Sequence, residues 1–151
     1  MGAPASYLAP PLDTVLYQEI VRCEGYRAAP YKDGLGNITI GVGWNLTSNG
    51  LPSWIITALY NLALEDAEAV LNRVAPWWIG LDPVRQRAMQ NLAFNLGGKL
   101  SGFPIFLSDM QAGRWASAAA ELENSEPWFS EVGQRGPMLV EMISSGEDPV
   151  L

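Results

Sequence analysis

The chain has 151 residues, 48% apolar and 17% charged, a balance that suits one folded domain and excludes a disordered or fibrous chain. It contains no histidine and one cysteine, Cys23, which excludes Ser-His-Asp and Cys-His nucleophilic schemes, His-ligated zinc and any internal disulfide. The net charge of −7 disfavours a nucleic-acid partner, which needs a basic footprint, and a hydrolase built from these residues would handle protons with carboxylates.

Residues 1–12 read as an Ala/Pro-rich arm, without the basic start and apolar stretch of a secretory signal. No run of 18 apolar residues occurs, so no membrane insertion is expected. Residues 13–151 are expected to form a single domain. Asp13 can cap a helix running to Glu24, with Leu16, Ile20 and Cys23 on one face and Gly25 as the stop. That phase predicts a buried structural thiol at Cys23 rather than a nucleophile.

Between residues 27 and 46 the pattern changes. Pro30, Gly34, Gly36, Gly41 and Gly43 punctuate short stretches such as Ile38-Thr39-Ile40, and Asp33-Gly34 signals a turn. We read a small antiparallel sheet of three short strands, then a loop over 45–53. Helices follow: one from Pro52 or Ser53 to Tyr60 that continues or restarts over 64–74, and one opened by Asp82-Pro83 and ended by Gly97-Gly98. Val84, Ala88, Leu92 and Asn95 line one face of the latter. Shorter helices are expected over 103–112, 115–123 and 136–144. Trp54, Trp77 and Trp78 read as core or half-core, and Glu65, Asp66 and Glu68 as a solvated face. The fold class is α+β, a mostly helical domain with a small sheet near its N-terminus.

The stretch that can carry chemistry runs from Glu24 to Gly43. Glu24 ends a helix, where the dipole and partial burial would favour its protonated form, as a general acid requires. Asp33 follows nine residues later at a polar turn that favours the ionised form, and Thr39 six residues after that, with a hydroxyl able to position water. One protonated and one ionised carboxyl on a shared groove is the requirement of glycoside hydrolysis. On spacing alone the trio reads first as a helix-terminal glutamate, a turn aspartate and a strand threonine.

Glu-x8-Asp-x5-Thr, with Tyr31-Lys32-Asp33 before the turn and Thr39-Ile40-Gly41-Val42-Gly43 after it, resembles the active-site signature of phage-type lysozymes, the muramidases of glycoside hydrolase family 24. The likeness continues through Phe94-Asn95-Leu96-Gly97, through Gln111-Ala112-Gly113-Arg114-Trp115, and through Trp128 with Arg135 seven residues on. It covers residues 13–145, strongest over 24–43 and weakest over 48–80.

The resemblance implies a lysozyme-like fold and hydrolysis, with inversion, of the β-1,4 bond between N-acetylmuramic acid and N-acetylglucosamine. Glu24 would protonate the leaving oxygen. Asp33 and Thr39 would hold the attacking water, and Arg135 would pair with Glu24. Phe94, Asn95, Trp128, Gly43 and Trp44 would border the substrate. No metal or cofactor is implied. Trp44 stands where the family commonly has a histidine of mainly structural role; it could line the glycan groove, though packing between sheet and helices is the simpler reading.

The expected partner is peptidoglycan, acted on by a monomeric, bacteriolytic phage endolysin. It would collect in the host bacterial cytoplasm and reach the periplasm and cell wall after a holin opens the membrane. Three alternatives stay open: a lytic transglycosylase, which ends in an anhydro sugar and needs neither Asp33 nor Thr39; a wall-binding or virion module whose catalysis has lapsed; and one catalytic domain of a larger enzyme or bacterial effector.

Overall fold

A computed structural model of the protein describes residues 15–149. The N-terminal arm and the Asp13 cap lie outside the described residues. The chain divides into two compact units between Tyr60 and Asn61.

The first unit holds helix α1 (Val15–Glu24), strands β1 (Arg27–Lys32), β2 (Ile38–Gly41) and β3 (Trp44–Asn45), and helix α2 (Leu46–Asn49). It also holds the start of α3 (Ser53–Val74), along which the chain passes into the second unit. The sheet is antiparallel in the order β1-β2-β3. Pro30 lies in β1, an edge strand, where a missing N–H is tolerated. Tyr31 pairs with Thr39, Thr39 with Asn45, and Ile40 with Trp44. Because side chains alternate, Thr39 shares a face with Tyr31 and Asn45, and Trp44 lies on the opposite face with Ile40.

Three expectations change here. The loop over 45–53 contains a one-turn helix: Asn45 Oδ1 accepts the Ser48 N–H at 2.9 Å, and Gly50 N–H donates to the Leu46 carbonyl at 3.0 Å. One turn is too short to leave an apolar period. The face of α1 is not buried: Leu16 is 63% exposed, Ile20 43%, and Cys23 is an exposed free thiol. Helical spacing identifies residues that share a face but says nothing about whether another element covers it. Trp44 is 42% exposed rather than packed inside, and its indole N–H donates to the Gly50 carbonyl at 2.8 Å.

The second unit continues α3, which runs unbroken to Val74. It adds α4 (Pro83–Leu96), α5 (Pro104–Gln111), α6 (Trp115–Glu123), the short α7 (Trp128–Glu131) and α8 (Arg135–Ser145). Short 3-10 segments, Pro76–Gly80 and Gly97–Gly102, flank α4. Every buried apolar side chain among the described residues lies from Ala67 onward, with Leu71, Met89, Leu92, Phe106, Leu139 and Ile143 among the fully buried ones. Trp78 is buried with its N–H on Asn72 Oδ1 at 2.9 Å, and Trp54 and Trp77 are half-buried, as expected for core or half-core tryptophans. Ala88 and Leu92 face the core, but Asn95 on the same helix is exposed. Glu65 and Asp66 are solvated; Glu68 is half-buried and accepts a hydrogen bond from Gln90 at 2.7 Å.

Asp82 caps α4 by accepting the N–H groups of Val84 and Arg85 at 3.1 and 3.0 Å, with Pro83 in the first turn. Buried Arg85 ties this end of α4 to the end of α8. Its Nε donates to the Ile143 carbonyl at 2.8 Å, it pairs with Asp82 at 2.8 Å, and its guanidinium lies 4.2 Å over the Trp115 ring. Burial pushes the Asp82 carboxyl up, but the hydrogen bonds and charge of Arg85, with the Val84 N–H, outweigh it and hold the group below the ordinary value. The whole is α+β, mostly helical with a small antiparallel sheet near its N-terminus, the lysozyme-like class expected from sequence.

Candidate active site

Glu24, Asp33, Thr39, Gly43 and Trp44 all belong to the first unit. Glu24 is the last residue of α1, which Gly25 closes at φ 78 with its N–H on the Val21 carbonyl at 2.7 Å. The glutamate is exposed, not partly buried as expected, because α1 has no buried face. Its carboxyl nonetheless has a defined neighbour. A Cβ on Gly43 would lie 3.1 Å from Glu24 Oε2 and 3.5 Å from its Cγ and Cδ, and Gly43 has φ +72. Glycine is favoured here by the backbone conformation, and a Cβ would press on the end of the Glu24 side chain.

Asp33 opens the turn between β1 and β2. Its Oδ1 accepts the N–H groups of Leu35 and Asn37, both at 2.8 Å, and its Oδ2 accepts from Asn37 Nδ2 at 3.0 Å. The Asn37 side chain first, then the Asn37 backbone N–H, with smaller help from Leu35 and Gly36, hold the carboxyl below its ordinary value against slight desolvation. Asp33 is thus kept ionised. Thr39, on the neighbouring strand, is 4% exposed, and its Oγ1 makes no hydrogen bond to another group among the described residues. A buried hydroxyl without a protein partner is uncommon and suits a water-binding position.

The remaining candidates lie in the second unit. Trp128 is half-buried at the start of α7; its N–H donates to Asn95 Oδ1 at 2.7 Å, and its ring meets Phe103 edge-on at 6.3 Å between centroids. That bond occupies Asn95 Oδ1 and fixes the orientation of its amide. Phe94 is 43% exposed and Arg135, half-buried, is the first residue of α8. A cavity of about 280 Å³ is bordered by Phe103, Ile105, Glu121 and Glu126.

Sequence reasoning missed Asn37 and Phe103 as supporting residues. For Asn37 a signal existed: an aspartate opening a glycine turn bonds N–H groups two and four residues on. Phe103 meets Trp128 only through tertiary packing and left no local trace.

The family model for phage lysozyme matches residues 21–141, a span that includes Glu24, Asp33, Thr39, Asn95, Trp128 and Arg135. A relative, probable T4-type lysozyme 2 of Dictyostelium discoideum, is 26% identical over 153 residues, covering 82% of this chain and 89% of its own. A family match over most of the chain, on a mostly helical fold with a small antiparallel sheet, shows that this protein belongs to the phage lysozyme family and is a glycosidase of peptidoglycan.

Proposed function

We propose that the enzyme cleaves the β-1,4 bond between N-acetylmuramic acid and N-acetylglucosamine with inversion, using Glu24 as general acid. Glu24 gives its proton to the glycosidic oxygen as the bond to C1 breaks. A water held by Asp33 and the Thr39 hydroxyl attacks C1 from the opposite face and passes its proton to the Asp33 carboxylate. The observation that carries this reading is the buried Thr39 hydroxyl, unpaired within the described residues, on the strand that follows an aspartate turn built to keep its carboxylate ionised. The Gly43 contact supports Glu24 as the acid, since it reserves space for that carboxyl. Arg135, Phe94, Asn95 and Trp128 take supporting and substrate-binding roles from the family resemblance. The register of β3 favours Trp44 as a brace for the loop ending at Gly50, since it sits on the face opposite Thr39.

Mass spectrometry of purified peptidoglycan digested by wild type and by Glu24→Gln tests the reaction. Reducing N-acetylmuramic ends, lost in the mutant, are the expected products, and proton NMR of a fresh digest should show them formed first as the α anomer. Anhydro ends would make the enzyme a transglycosylase, and a β anomer would overturn inversion.

We further propose that the enzyme serves as a monomeric endolysin, held in the cytoplasm of the host until a holin-like pore admits it to the wall. Cells expressing it should lyse only when the inner membrane is opened; lysis with an intact membrane would contradict this.

A further inference from the structure

Asp33 depends on one residue more than on any other. Oδ1 of its carboxylate is taken up by two backbone N–H groups of the turn, from Leu35 and Asn37 at 2.8 Å each. Oδ2 is placed differently, by the Asn37 side-chain amide at 3.0 Å. The backbone repeats the link, with Asp33 N–H donating to the Asn37 carbonyl at 2.9 Å.

We propose that Asn37 is a positioning residue for the hydrolysis, whose side-chain amide fixes Oδ2 of Asp33 in the direction from which that oxygen holds the nucleophilic water. The inference rests on the reading of Asp33 as the carboxylate that handles this water. A carboxylate oxygen accepts two hydrogen bonds in its plane. Backbone donors fill both at Oδ1, whereas Asn37 fills one at Oδ2 and leaves the other for water. Oδ2 is therefore the working oxygen, and Asn37 sets its aim.

An amide suits the task because it donates without carrying charge or titrating. The hydrogen bonds that keep Asp33 ionised come from Asn37 first, then from Leu35 and Gly36. These donors are uncharged, although Arg27 and Lys32 lie on β1, Tyr31 on the same strand pairs with Thr39, and Glu24 belongs to the same unit. The two backbone bonds to Oδ1 do not need the Asn37 side chain. Removing the side chain thus disturbs the aim and ionisation of Oδ2 while the turn stays closed.

The experiment is the pH profile of reducing-end release from peptidoglycan by the full chain, for wild type, Asn37→Ala, Asn37→Asp and Asp33→Asn, with melting curves alongside. Asn37→Ala should lower kcat about tenfold, the scale of one hydrogen bond to a charged group, with KM within about twofold. Its acidic limb should move to higher pH. Asn37→Asp keeps the shape but sets a second carboxylate against Asp33, so its acidic limb should move further still. A merely structural asparagine would lower Tm and leave the limb in place. Unchanged limbs in both variants, or loss of folding in both, would overturn the proposal. If Asp33→Asn is inactive while both Asn37 variants match wild type, only this inference falls; if Asp33→Asn is fully active, the reading beneath it falls as well.

Discussion

The two units solve different problems with different forces. Among the described residues of the first, Thr39 is the sole buried residue, while Val15, Leu16, Ile20, Ile56 and Leu59 stay exposed. Among the described residues the second holds every buried apolar side chain, and of its two buried charges Arg85 joins α4 to α8 while Asp109 pairs with Arg114. Side chains of the first unit are placed by local hydrogen bonds and backbone angles: Asp33 by turn N–H groups, Glu24 by the gap at Gly43. Those of the second are placed by packing. Chemistry and stability should therefore separate under mutation.

The largest effect sharpens that contrast. Asp33→Asn should lower reducing-end release by about 10³-fold, within the range general acid–base groups supply, with Tm little changed. A comparable loss of Tm would mean that the turn, not the carboxylate, is what matters. Leu92→Ala should do the reverse, removing about 2–5 kcal/mol of stability in urea melts and leaving kcat of the folded fraction intact. Gly43→Ala should cost about 100-fold in kcat, because its Cβ would displace the Glu24 carboxyl and its backbone would be strained. Normal activity there would deny that Glu24 needs this space.

The smallest effect is on pH. Asp33, Asp82 and Asp109 are all held below the ordinary value, Asp109 by the Ser117 hydroxyl first and then by Arg114. A depressed folded value stabilises the protein above the unfolded pKa of about 3.9 and loses that contribution as pH falls below it. Tm should therefore drop between about pH 4 and pH 2, and Asp109→Asn should flatten the drop. A Tm independent of pH over that range would contradict these assignments.

Much of this was legible before any coordinates, and unevenly so. The hairpin with Asp33 and Thr39 was readable because turns and short strands follow from nearby glycines and polar residues. The cap at Asp82-Pro83 and the stop at Gly97 were readable for the same reason. The exposure of α1 was not, because covering a face is a tertiary matter. Nor was the clamp of Arg85 on the Ile143 carbonyl, since it joins residues 58 apart. At the site, the roles proposed for Glu24, Asp33 and Thr39 came from the family resemblance, since spacing alone favoured a plainer reading, and the hold of Asn37 on Asp33 is geometry that a pattern of residue types only hints at.

The net charge of −7 sits awkwardly with an anionic wall polymer, and it makes activity a better test than binding. The most direct measurement is the rate of reducing-end release by Glu24→Gln, taken with its melting temperature. A fall of about 10³-fold at unchanged Tm is the result this account predicts. Wild-type rates in a folded Glu24→Gln protein would contradict it, and would move the catalytic acid elsewhere in the molecule.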